Sequence, residues 1–318
     1  MPSNDFNGDG RSDVLWLLED NIAVSNWLAT PSGGFTVNDA NAFNWLTAWD
    51  TYDFQVTGDF NGDGRADLLW LVDATWAPWH MIWLSDANGG TAIGGPSVWF
   101  EVTDPSWRIA GSGDFNGDGI DDLLWRNVDG TISNWLGSAS GAFTINDANA
   151  MTYVPNNWHI LGTGDFNGDG NADILWQSDD GYISNWLGTD SGGFVINDAN
   201  ALTKMRVGVA AIGDFNGDQR DDIVIFDDWQ FYSAIYADAQ GGLIMDGYLP
   251  FALGGDGWWI VGAGDYNGDG IDDLLWRHQT GAFSNWLGTG IEHQFTVNDA
   301  NAFAQVPVDW QVAGTPLL

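Results

Sequence analysis

One nine-residue pattern recurs six times and constrains what this chain can become more than anything else in it. The third copy reads Asp114-Phe115-Asn116-Gly117-Asp118-Gly119-Ile120-Asp121-Asp122, followed by Leu123-Leu124-Trp125. Acidic or amide oxygens fall at positions one, three, five and nine, and a glycine usually follows the fifth. Oxygens at every second residue converge only where the chain curls around something positive, and glycine permits the sharp turn. Hard oxygen donors at this spacing select calcium. The copies begin at Asp5, Asp59, Asp114, Asp165, Asp214 and Asp265, at intervals of 54, 55, 51, 49 and 51 residues. A period near fifty residues marks a repeat fold.

The charge balance agrees with bound cations. Only 8 Lys and Arg stand against 44 Asp and Glu, a net charge of −36, and six Ca²⁺ would reduce this to −24. Such a surface excludes nucleic acid and anionic membranes as partners, because both require a basic patch. Carboxylates crowded within nine residues repel one another without a metal. The chain is 44% hydrophobic with 21 Trp and no Cys, so it can build a core, with loop metals in place of disulfides. No run of about twenty apolar residues is present, so nothing inserts in a membrane. No signal peptide opens the chain, which reads as a domain excised from a longer protein, or one exported without a cleaved signal.

Within one period the pattern is constant. In the third copy Trp107–Gly111 reads as a strand entering the loop and Asp122–Arg126 as a strand leaving it. Asp129-Gly130 is a hairpin turn, Thr131–Leu136 a third strand and Phe143–Asn146 a fourth. No segment holds a helical period over ten residues. Four short antiparallel strands per repeat are the signature of a propeller blade. The segment Trp310–Gly314 matches Trp107–Gly111, while the first loop has no such strand before it. The expectation is an all-β, six-bladed β-propeller, one domain over 1–318, its first blade closed by 306–318 with no open edge.

The copies are unequal. Blades one, three, four and six carry Ser-Asn-Trp-Leu in the third strand (Ser25–Leu28, Ser133–Leu136, Ser184–Leu187, Ser284–Leu287). The same four carry Asn-Asp-Ala-Asn-Ala after the fourth strand (Asn38–Ala42, Asn146–Ala150, Asn197–Ala201, Asn298–Ala302). Blades two and five lack both and stand opposite each other in a ring of six, a pattern that hints at duplication of a three-blade unit.

The expected ligands of the first loop are the side chains of Asp5, Asn7, Asp9 and Asp13 with the carbonyl of Arg11. In register follow Asp59, Asn61, Asp63, Arg65 and Asp67; Asp114, Asn116, Asp118, Ile120 and Asp122; Asp165, Asn167, Asp169, Asn171 and Asp173; Asp214, Asn216, Asp218, Arg220 and Asp222; Asp265, Asn267, Asp269, Ile271 and Asp273. Position twelve is Trp16, Trp70, Trp125, Trp176, Phe226 or Trp276, so the bidentate Glu of an EF-hand is absent, and a strand stands where its helix would be. The bland alternative is six Asx-rich turns without metal. Gln219 replaces the glycine of the fifth loop, which strains the turn or weakens the site. In either reading the loops are structural, and no catalytic residue is expected. His80, His159, His278 and His293 do not recur in register.

Two readings stand for the Trp-Asn pairs Asn26 and Trp27, Asn134 and Trp135, Asn185 and Trp186, Asn285 and Trp286. A sugar site uses an aromatic face with a nearby amide; equally, a Trp on a propeller strand fills the wedge between blades. The repeated Gly-Asp-Phe-Asn-Gly-Asp-Gly-x-x-Asp-Leu-Leu-Trp resembles the FG-GAP and VCBS repeats, which build integrin α-subunit propellers and propeller lectins. The resemblance covers essentially the whole chain and implies a calcium-bearing, mostly extracellular propeller used for binding. The functional expectation is a secreted or cell-surface, non-catalytic module binding carbohydrate. The alternatives are a protein-interaction or adhesin scaffold, with blades two and five as the contact surface, and an appendage or catalytic propeller of a polysaccharide-degrading enzyme.

Overall fold

The computed structural model describes residues 4–18, 23–46, 51–74, 77–91, 97–205, 207–227, 229, 231–244, 252–253 and 257–313. They form six antiparallel sheets, each a path of four strands. Blade three shows the plan. Trp107–Gly113 pairs with Asp122–Asn127, which pairs with Thr131–Leu136, which pairs with Thr144–Ile145. The first strands of blades two to six touch one another in turn and line the hub. Trp310–Val312 pairs with Val14–Leu18, joining Val312 to Trp16 and Trp310 to Leu18. The C-terminal strand thus completes the first blade, and 314–318 lie outside the described residues.

Two features lie below the reach of periodicity. Asp-Ala-Asn-Ala forms a single helical turn in four blades, at Asp39–Ala42, Asp147–Ala150, Asp198–Ala201 and Asp299–Ala302. A two-residue strand then returns to the free half of the third strand, as Thr152–Tyr153 does to Thr131 and Ile132. Blade five also has the returning strand, at Ala252–Leu253. In blade two one five-residue strand, Ser97–Glu101, runs along the third strand instead. Outer strands of two to five residues leave little open edge for another chain to extend.

The core lies in the seams between blades. Among the described residues six apolar clusters form, one per seam. The reason is the two-residue side-chain period of a strand whose faces are both covered. In the second strand of blade one, Leu15 faces blade two while Val14 and Trp16 face blade six. Phe6, Phe60, Phe115, Phe166, Phe215 and Tyr266, each at position two of a loop, are buried beneath them. Among the described residues no helix is long and apolar enough to cross a membrane.

Candidate functional site: six acidic loops and the seams they join

Each loop is curled by its own side chains. Asp5 Oδ1 accepts the N–H of Gly8 (2.8 Å) and Asp9 (3.2 Å), and Oδ2 that of Gly10 (2.8 Å). Asn7 Oδ1 accepts the Asp9 N–H (3.0 Å), and Asp9 Oδ1 that of Arg11 (3.2 Å). Loops three to six repeat this scheme with small variations. The residue after the fifth takes a left-handed φ, 84° at Gly10 and 66° at Gln219. A Cβ at Gly10 would meet nothing within 4 Å. The glycine there is thus selected by backbone angle alone, and Gln219 bears a strain of about 1 kcal/mol.

The ninth-position Asp ties the loop to the blade. Asp13 Oδ2 accepts the Phe6 N–H (2.9 Å) and Oδ1 that of Ala29 at the end of the third strand (2.7 Å). Asp173 does the same with Phe166 and Gly188, and Asp273 with Tyr266 and Gly288. These acids are buried, and burial, with the carboxylates at positions one and five adding repulsion, overrides the hydrogen bonds. Asp13 is pushed up to about 7, and Asp67, Asp122, Asp173, Asp222 and Asp273 to about 8.

The donor chemistry fits a hard divalent cation. Every donor is an oxygen, and the carboxylate oxygens that accept a single N–H, such as Asp5 Oδ2, Asp9 Oδ1 and Asp13 Oδ2, keep a lone pair. Among the described residues no three acidic or histidine side chains alone are gathered as a cluster, so the set would need the amide at position three and the carbonyl at position seven. In loops one, two and five a guanidinium takes up part of the charge. Arg11, Arg65 and Arg220 each ion-pair with the fifth-position Asp9, Asp63 or Asp218. Their Nε–H groups donate to the third-strand end at Ala29, Ser85 or Ala237 (3.3, 3.1 and 3.1 Å). Ile120, Asn171 and Ile271 leave the other three loops without an internal cation.

The loops also hold each other. The eighth-position N–H of every loop donates to the first-position carbonyl of the loop before it. The six bonds are Ser12 to Asp265, Ala66 to Asp5, Asp121 to Asp59, Ala172 to Asp114, Asp221 to Asp165 and Asp272 to Asp214 (2.7–2.9 Å). They close a circle on one face of the ring. Where the eighth residue is Asp, its carboxylate accepts the preceding first-position N–H as well: Asp121 from Asp59, Asp221 from Asp165, Asp272 from Asp214 (2.7, 2.7 and 2.9 Å). Burial raises these acids too, to about 6 at Asp121, about 7 at Asp221 and well above the ordinary value at Asp272.

The Trp-Asn pairs are brought together in the seams between blades. Asn26, Asn134, Asn185 and Asn285 are fully buried. Asn134 Nδ2 donates to Gly192 O in the next blade (2.7 Å). Asn146, of the Asn-Asp-Ala-Asn-Ala segment, donates to Asn134 Oδ1 and to Ser191 O (both 3.0 Å). Asn149 closes on Asn146 Oδ1 (2.7 Å), and Ser133 Oγ on Asp147 (2.7 Å). Leu136 packs where a Cβ on Gly192 would lie, 2.8 Å away. The other three copies make the same bridge to Gly89, Gly241 and Gly33. Trp27, Trp135, Trp186 and Trp286 are half-buried against Trp16, Trp125, Trp176 and Trp276, with ring centroids 5.2, 4.9, 5.3 and 4.8 Å apart. The two motifs are therefore halves of one clasp, which is why they occur in the same four blades.

Sequence reasoning missed the opposite face. First strands begin there and second strands end there, so it lies a strand length from the loops. Trp45, Tyr153, Tyr182 and Trp229 are exposed on it, Tyr153 at 64% and Trp229 at 77%. For Trp45 and Tyr153 the available signal was an aromatic residue three positions after the shared Asn-Asp-Ala-Asn-Ala segment; Tyr182 and Trp229 carry no such signal.

The FG-GAP-like repeat model matches residues 5–70, 114–176 and 165–225, more than half of the chain, and the FG-GAP repeat model matches 257–284. The chain belongs to the FG-GAP repeat family. No curated protein matches this FG-GAP propeller. Among solved structures it is similar to AofleA from Arthrobotrys oligospora, at 9% identity over 96% of this chain and 90% of that one, with a TM-score of 0.44. It is also similar to BBS1N in its complex with ARL6DN (13% identity, 90% and 76% covered, TM-score 0.48). A third is the exotype rhamnogalacturonan lyase YesX (13% identity, 81% and 50% covered, TM-score 0.40).

Proposed function

We propose that this FG-GAP propeller is a secreted or cell-surface, non-catalytic saccharide-binding module stapled by calcium in its six loops. The saccharide would meet the face opposite the loops. The observation that carries this is the exposure of Trp45, Tyr153, Tyr182 and Trp229 there, since a solvent-facing aromatic ring matches the C–H face of a sugar. The ligand site thus moves from the Ser-Asn-Trp-Leu strands, whose amides are engaged, to the exposed rings. A non-catalytic role is supported by the placement of the perturbed acids: each loop or seam Asp is held by backbone N–H groups. A glycan array probed in millimolar calcium tests the reading, and silence across diverse glycans at high protein concentration would sink it.

Calcium would be held by Asp and Asn side chains at positions one, three, five and nine with the seventh carbonyl, for example Asp114, Asn116, Asp118, Asp122 and Ile120. Its chemistry there is charge neutralisation alone. Weak oxygen loops of this kind fill at about millimolar calcium, an extracellular level. Relative to about millimolar calcium, excess chelator is expected to lower the Tm by about 4 °C, because ligation of the native loops adds to stability. An unchanged Tm would remove calcium from the account. The adhesin reading keeps one observation in its favour, the exposed Trp99 on blade two; capture of a protein partner that is lost in W99A would favour it over the saccharide.

A further inference from the structure

The described cations of this acidic protein are nearly all engaged. Arg11, Arg65 and Arg220 serve the loops. Arg277 lies over the Trp16 ring and donates to Pro307 O (2.8 Å), and Lys204 lies over Tyr182. Arg108 and Arg126 are different. They stand directly opposite each other on the first and second strands of blade three. Like charges in that position destabilise a sheet. Both line a cleft of about 440 Å³ between blades three and four, with Asn127, Asn156 and His159. Among the described residues neither guanidinium has a carboxylate partner. Arg108 donates to the carbonyls of Pro105 and Trp107, and Arg126 to that of Pro155 (3.4 Å) while lying over the Trp176 ring at 5.3 Å.

The nearby acids are turned elsewhere. Asp104 accepts from Ser106, Asp129 from the Thr131 N–H, and Asp179 lies 2.7 Å from His159 Nε2. The nearest loop acid, Asp122, lies four residues along the second strand from Arg126, about 13 Å away, and Asp114 lies six residues along the first strand from Arg108, about 20 Å away, so more than one Debye length of physiological salt screens them. A guanidinium has five N–H donors, so both arginines keep several for a ligand. Two facing forks match the paired oxygens of an oxyanion. Tyr153, exposed and packed over Gly130 together with Asn156 of the cleft lining, adds an aromatic face.

We propose that the cleft between blades three and four binds the oxyanion of an acidic saccharide, with Arg108 and Arg126 forked onto the charged group and Tyr153 against the sugar ring. This rests on the saccharide reading above and names its ligand class. Carboxylated and sulfated sugars share the chemistry, and the test separates them.

Calorimetric titration of the full chain in millimolar calcium would use tetragalacturonate, its methyl ester and a κ-carrageenan tetrasaccharide, against wild type, R126Q, R108Q and R126K. At least one acidic probe is expected to bind. R126Q and R108Q should weaken it at least tenfold with unchanged Tm, R126K should weaken it less, and the ester should bind at least tenfold more weakly than tetragalacturonate. Preference for tetragalacturonate assigns a carboxylate, preference for carrageenan a sulfate. Binding of the ester as tight as that of the acid, and unaltered in R126Q, overturns the proposal while leaving the saccharide reading standing. Silence of every probe overturns the proposal, and only silence on the glycan array as well removes the saccharide reading.

Discussion

Two kinds of seam join the blades. Those between blades one and two, three and four, four and five, and six and one are bridged by the Asn clasp. Those between two and three and between five and six are not, because Ile82 and Ala234 occupy the register position of the clasp Asn. The seam from two to three is closed by rings instead. Phe100 stacks on His80 at 5.0 Å and packs on Trp135 and Phe143 of blade three. At the seam from five to six Tyr232 packs on Trp276, and Tyr236 Oη accepts the His293 N–H (2.5 Å). The clasped seams add a buried amide bridge to their apolar cluster, whereas the other two add ring contacts and, from five to six, one tyrosine hydrogen bond. The ring is thereby two three-blade halves, six-one-two and three-four-five, within a continuous circle of loop bonds. The odd blades found opposite each other in the sequence are the last member of each half.

The largest expected effect should ignore this division. D173A and D273A each strand two buried backbone N–H groups inside one blade, so both should cost about 3 kcal/mol or more. Urea denaturation checks it, and a clear difference between the two would mean that the seams govern even this contact. Next comes the clasp itself. N185A removes the bond to Gly241 and the one from Asn197, at about 2 kcal/mol. Hydrogen exchange in Gly208–Gly213 should then rise to the level of Trp258–Gly264, the corresponding strand beyond the unclasped seam. If exchange stays put, the clasps are ornaments and the halves equal.

A third effect is set by pH. The loop and seam acids are raised in the folded state, so the stability they contribute is full below the unfolded value near 4 and is lost as pH rises through about 6 to 8. In chelator the urea midpoint should therefore fall between pH 5 and pH 8, and calcium should flatten the trend. Seams two–three and five–six carry Asp121 and Asp272 without a clasp, whereas seam four–five carries Asp221 with one. The first two should open to exchange before the third as pH rises; simultaneous opening would dissolve the distinction. The smallest effect is R65A, which removes a partly exposed ion pair worth about 0.5 kcal/mol. Its informative consequence is in calcium titration, where loop two should behave more like loops three and six.

The sequence carried the repeat, the four strands, the loops and the closing strand, because each rests on local spacing. The clasp was half visible. Two motifs shared by the same four blades announced a common role, but Asn134 meets Gly192 only once two blades are side by side. The amide that looked ready for a sugar is the one with no exposed surface. Two-residue strands are too short to carry a period, so Thr152–Tyr153 passed unseen. Arg108 and Arg126 become neighbours only through the hairpin register across the third loop, which a spacing argument does not supply.

The circle of loop bonds has one further consequence. Each loop carries a hook, its eighth N–H, and an eye, its first carbonyl. A linear stack of repeats always ends with one hook and one eye idle, and it frays from those ends. Here Ser12 reaches Asp265, and no idle pair is left. The ring thus has nowhere to begin unravelling except by parting somewhere along its circumference.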